Sequence, residues 1–120
     1  MTNVAKALYG FWSAFGLPAY PEGNVPSDAD LPYITYTLTQ PEWQSAAIHQ
    51  ARVWMRSESY AAINTKVDEI TARIGSGILL AAEPGYLCIR KGNPLVQFQD
   101  VGAPDLKVAY LNLQLNAYTE

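Results

Sequence analysis

The chain has little with which to do chemistry. It holds one histidine, His49, and one cysteine, Cys88, in 120 residues. Two such residues cannot supply a metal-ligand set, and a single thiol cannot close an intrachain disulfide. Nothing therefore points to an oxidising compartment. No G-x-G-x-x-G or P-loop occurs; Gly75-Ser76-Gly77 reads as a helix stop. Charge is also scarce, at 16% of residues where about a quarter is usual. Lys and Arg form no cluster denser than Arg90-Lys91, so adhesive binding to nucleic-acid phosphates is not expected. No apolar run is long enough for a membrane span, and the amino terminus lacks a signal peptide's charged start and long apolar run. A soluble protein made inside the cell is the expectation.

What is present is apolar and aromatic. Hydrophobic residues make up 49%, with eight Tyr and three Trp, and the net charge is −3. A chain of this length reads as one domain that buries roughly two thirds of its unfolded surface. The mild acidity leaves open a surface that DNA passes without sticking.

Periodicity orders the elements. Val4, Leu8, Phe11, Trp12 and Phe15 form one helical face, with Thr2 or Asn3 as candidate cap and Gly16 and Pro18 as the stop. Pro18 to Pro32 is rich in proline and aspartate. It reads as a stiff loop with a short extended stretch at Ala19-Tyr20. Tyr33–Thr39 alternates, with Ile34, Tyr36 and Leu38 on one face. After a turn at Gln40 to Trp43, Ala46–Ser57 is a second strand, and the two make an antiparallel ribbon.

Tyr60, Ile63, Val67, Ile70 and Ile74 then form a helical stripe capped by Ser57 or Ser59, with Glu69 and Arg73 paired on the wet side. Strands follow at Ile78–Ala82, Tyr86–Lys91, Leu95–Asp100 and Lys107–Tyr118. Helix, ribbon, helix and strands predict an α+β fold. It would be an antiparallel β-sheet with two helices packed on one face, a protruding β-ribbon and a long Pro-rich loop.

Candidate contact residues outnumber candidate catalysts. Trp43, in a turn, is either an exposed interface anchor or folded back on the ribbon. Arg52, Trp54 and Arg56 share one strand face, as a cation–π stack or as an inter-subunit surface. Glu22, Asp28 and Asp30 lie in the Pro-rich loop. His49, in a strand with no carboxylate or hydroxyl close by in sequence, reads as structural or surface. No catalytic, cofactor or metal residue is assigned.

The helix, the loop entering LPYITYTL, the strand ARVWMRS, the helix YAAINTKVDEITARI and the terminal strands together resemble small neck proteins of long-tailed phages and prophages. The match is to the tail terminator, or tail completion, family. The resemblance covers nearly the whole chain by layout, and Leu31-Pro32-Tyr33-Ile34 is its most family-like part. It implies an α+β protein that forms a homohexameric ring in the virion neck, made in the bacterial host cytoplasm. The ring caps the tail-tube protein, stops tube growth, and offers its other face to the head completion or connector protein. DNA passes through the channel without specific binding, and no cofactor, reaction or membrane is involved. On this view Trp43, Arg52, Trp54, Arg56 and the Pro21–Leu31 loop supply subunit or tube contacts. A head–tail adaptor, head-closure or minor capsid component is the near alternative. A small-molecule-binding α+β domain or enzyme is the distant one.

Overall fold

The computed structural model describes residues 2–100 and 105–119. Its elements are α1 (Thr2–Trp12), a 3-10 turn (Ser13–Phe15), β1 (Ala19–Pro21), β2 (Tyr33–Tyr36), β3 (Ser45–Arg56), α2 (Ala61–Ile74), β4 (Ile78–Ala82), β5 (Gly85–Asp100) and β6 (Leu106–Tyr118). One sheet has the order β1-β2-β3-β6-β5-β4 and curls into a half-barrel. The fold is α+β. No described helix is long and apolar enough to cross a membrane.

The helical stripes end up buried except for Tyr60, which precedes α2 and is 39% exposed. Val4, Leu8, Phe11, Trp12 and Phe15 from the first helix, and Ile63, Val67, Ile70 and Ile74 from the second, belong to one core cluster. The sheet contributes Ile34, Tyr36, Ala51, Val53, Ala109, Leu111, Leu113 and Leu115. Strand register explains why these residues share a face. Ile34 lies opposite Val53 and Val53 opposite Ala109; Tyr36 lies opposite Ala51 and Ala51 opposite Leu111. Alternation on three strands thus falls in phase, and both helices complete the same apolar layer. Gly16 ends the helical stretch in the left-handed region, at φ 79°, where a residue without Cβ is unstrained.

Several expectations need correction. The sheet is mixed, because β1 pairs parallel to β2. Three residues with a proline carry no alternation from which that pairing could be read. The expected protruding ribbon is not free-standing: β3 pairs with β6 along its whole length, from Ser45 opposite Ala117 to Arg56 opposite Leu106. The two strands placed at Tyr86–Lys91 and Leu95–Asp100 are one, interrupted by a register shift between Lys91 and Val96.

The Tyr33–Thr39 strand stops at Tyr36, and Leu38 is 62% exposed instead of sharing the face of Ile34 and Tyr36. The Thr37 and Thr39 hydroxyls hydrogen-bond each other and both reach the His49 ring, which draws the chain away from the ladder. Asn3 donates to the Glu83 carbonyl rather than capping its own helix. Glu69 pairs with Lys66, not with Arg73. The N-cap position of α2 is Tyr60, with no side-chain cap, rather than Ser57 or Ser59; Ser59 Oγ, one residue earlier, accepts the Ala61 N–H.

Among the described residues Gly85 and Gly92 are required by close approach; a Cβ on Gly92 would sit 2.6 Å from the Asn112 carbonyl oxygen. A Cβ on Gly85 would sit 1.8 Å from the Tyr118 carbonyl oxygen, which is backbone and cannot swing aside. Gly85→Ala should therefore part the ends of β5 and β6 and cost about 1–3 kcal/mol. The check is a denaturant midpoint. Gly10→Ala, inside α1 where a Cβ meets nothing within 4 Å, is the control and should stabilise by about 0.5–1 kcal/mol.

Candidate functional site

The face of the sheet turned away from the helices carries the candidate contact residues. Arg52 and Trp54 project from β3 on this face, and their partners come from neighbouring strands. Arg52 Nη1 lies 3.0 Å from Glu22 Oε1, and the guanidinium sits 4.7 Å from the centre of the Tyr110 ring. Trp54 Nε1 donates to Thr35 Oγ1 at 2.9 Å, and Thr35 Oγ1 donates to Glu22 Oε1 at 3.2 Å. A bonded chain, Trp54 to Thr35 to Glu22 to Arg52, thereby ties the start of the Pro-rich loop to the sheet. Tyr33 packs beside Trp54 at 6.4 Å, and Tyr20 beside Tyr33 at 5.7 Å.

The expected Arg-Trp-Arg stack is accordingly replaced by cross-strand pairs. Residues two apart on a strand are separated by about 6.6 Å, whereas directly opposite residues are about 4.5–5.5 Å apart. Arg52 therefore takes the ring opposite it, Tyr110, in preference to Trp54.

Arg56, at the end of the same strand, pairs with Asp105 at 2.8 Å. That hydrogen bond, ahead of any other influence, holds the Asp105 carboxyl below its ordinary pKa. Arg56, Asp30 and Tyr33 together line a hollow of about 490 Å³. The structure thus gathers Glu22, Arg52 and Trp54 in one cluster and Asp30 with Arg56 in another. Asp28 is exposed on the loop.

Trp43 lies far from these groups, beyond the opposite end of the twelve-residue β3, whose first residue is roughly 23 Å from Arg52 and roughly 36 Å from Arg56 along the strand direction. It is half-buried against the core. Its turn is locked by the Gln44 N–H to the Ala117 carbonyl, and by Gln44 Oε1 accepting from Thr119 N, each at 2.6 Å.

Sequence reading did not single out Thr35, Asp105 or Tyr110 as contact residues. Tyr110 falls in the polar phase of the last strand's alternation, a visible signal, but its role needs the β3–β6 register. A shallow groove of about 530 Å³ was also unforeseen. Gln50, Asn112, Gln97 and Gln114 line it, with Ile48, and Gln50 Nε2 donates to Asn112 Oδ1 at 3.1 Å. Its described lining residues carry no titratable group, so it offers recognition by amides but no agent for acid–base catalysis.

The group with the largest pKa displacement is elsewhere and sealed. His49 is fully buried, and burial pushes its pKa down to about 4. Its Nε2 accepts the Trp12 indole N–H at 3.0 Å. The ring proton therefore sits on Nδ1, which faces Thr39 Oγ1 at 3.1 Å. This histidine ties α1 to β3 and is out of reach of solvent. Among the described residues no cluster of His, Cys, Asp and Glu could hold a metal ion.

No protein-family model matches the chain, and no curated protein matches it. Among the solved structures that share the fold are the following two. A chain in the virion of a native gene transfer agent particle superposes with a TM-score of 0.66 at 15% identity, over 93% of this chain and 89% of that one. A second solved protein, whose name says nothing of its function, gives a TM-score of 0.66 at 11% identity, over 99% and 97%.

Proposed function

We propose that this protein is a structural component of a phage-type virion, and within that class a tail terminator. The observation that carries the reading is the likeness, over nearly the full length of both chains, to a chain of a gene transfer agent virion. The order of elements supports it, as does a surface whose features suit contact more than catalysis: cross-strand aromatic and arginine clusters and a groove of neutral amides. The protein assembles with itself into a ring, a hexamer by family resemblance. The ring caps the end of the tail tube, stops its growth, and joins it to the head connector in the virion neck. DNA passes through the channel without specific binding, and the role is non-enzymatic. The Arg52–Trp54–Glu22 cluster and the loop from Pro21 to Leu31 supply contacts to neighbouring subunits or to the tube.

Light scattering coupled to size exclusion, followed by imaging, tests the reading. The expected result is a discrete multiple of the 13.2 kDa chain mass, with ring-shaped particles that bind tube ends. A strict monomer at every concentration, alone and with the tube protein, would overturn it. Particles that bind the head connector but not the tube would favour a head–tail adaptor.

A further inference from the structure

The charges of this chain are segregated in sequence, and the strand order carries the segregation to opposite edges of the sheet. From Ala7 to Ala51 there is no Lys or Arg, while Glu22, Asp28, Asp30 and Glu42 are present. From Pro84 to Gln99 there is no Asp or Glu, while Arg90 and Lys91 are present. The first stretch contains β1 and the loop after it, at one edge; the second contains most of β5, beside the other.

Two features leave the β4–β5 edge open to a partner. β4 pairs only with Gly85–Ile89, so from Arg90 onward β5 has no strand on that side among the described residues. Arg90 and Lys91 are exposed there, and Leu79 on β4 is 64% exposed. In the acidic loop Glu22 is occupied by Arg52, while Asp28 and Asp30 are exposed, Asp30 lining the hollow it shares with Arg56. Among the described residues Asp28, Asp30, Arg90 and Lys91 have no ion-pair partner.

We infer that copies of this chain join head to tail, with the acidic loop bearing Asp28 and Asp30 on one copy seated against the Arg90–Lys91 edge of the next. Arg90 and Lys91 on β5 lie four strand spacings of about 4.8 Å from β1, roughly 19 Å along the sheet, so the two surfaces do not meet within one chain. A two-fold dimer through either edge would set like charges against each other. A head-to-tail contact sets opposite charges together at every junction and closes into a ring when the rotation permits. The inference rests on the ring reading and names the surfaces that make the ring.

Two variants test it: Asp28→Lys with Asp30→Lys, and Arg90→Glu with Lys91→Glu. Circular dichroism and thermal melts first establish that each folds like the parent. By light scattering, each alone should show a dissociation concentration at least roughly tenfold higher than the parent's. Mixed in equal amounts they should assemble again, because each now presents the edge the other needs. Added salt should weaken the parent assembly. If both folded variants assemble alone as the parent does, or if the mixture fails to recover, the edge contact is overturned while the ring stands. A parent that is monomeric throughout overturns the ring itself, and the edge contact with it.

Discussion

Trp12→Ala should cost about 3–5 kcal/mol of folding stability, a large share of the roughly 5–15 kcal/mol that a domain possesses. Trp12 is fully buried. It meets Phe11 edge-on at 4.8 Å, Phe15 at 6.1 Å and Tyr36 in a stacked arrangement at 6.5 Å. Truncation removes that contact area and opens a cavity between α1 and the sheet, because backbones on both sides are held by their own hydrogen bonds. It also removes the indole N–H that His49 Nε2 accepts, leaving a buried acceptor unpaired. Trp12→Phe separates the two effects: it keeps most of the ring volume and loses the N–H, at an expected cost of about 1–3 kcal/mol. Urea midpoints with unchanged m-values give the measurement. A loss below about 1 kcal/mol for Trp12→Ala would show that α1 is not anchored through this residue.

Acidification should remove about 3 kcal/mol of stability through His49 alone. Its pKa in the fold is about 4, against 6.5 for the free side chain, because burial penalises the imidazolium. Between those values the unfolded chain holds the extra proton, so stability rises with pH there. The contribution is complete above pH about 6.5 and is lost as pH falls from there through about 4. The surroundings explain why nothing offsets the penalty. Trp12 donates to Nε2, and the groups at Nδ1 are the neutral hydroxyls of Thr37 and Thr39. Tyr36, whose ring lies tilted 6.4 Å from that of His49, stays protonated, its pKa raised by burial and then by Tyr9. Because the chain has one histidine, His49→Gln should flatten the stability–pH curve across this window while keeping an acceptor for Trp12. An equally steep curve in that variant would refute the assignment.

Much of the local structure could be read directly from spacing. The stripes Val4-Leu8-Phe11-Trp12-Phe15 and Ile63-Val67-Ile70-Ile74 are the buried faces of the helices, and Ile78–Ala82 is a strand with the expected bounds. A stripe of period 3.6, or an alternation of period 2, is a property of neighbouring residues, so it survives without knowledge of the rest. Spacing failed where a distant group overrode it. Leu38 keeps the phase of Ile34 and Tyr36 in sequence, yet it turns outward because two threonine hydroxyls are drawn to His49. The Arg52 and Trp54 side chains share a face, as alternation requires, but each is satisfied from another strand.

The sequence alone thus determined where both helices and most strands lie, which side of each helix is apolar, and that His and Cys, the usual catalytic and metal-binding residues, are scarce. It also displayed the unbroken acidic stretch before Arg52 and the Arg90-Lys91 pair far from it. Tertiary structure decided who meets whom: β1 inserted parallel beside β2, β3 locked to β6 over twelve pairs, and His49 under Trp12. It alone turned the charge segregation into two opposed edges, because strand order is independent of sequence order. Periodicity records which way a side chain points; only the long-range pairing of strands, settled by burial of the whole core at once, records what it points at.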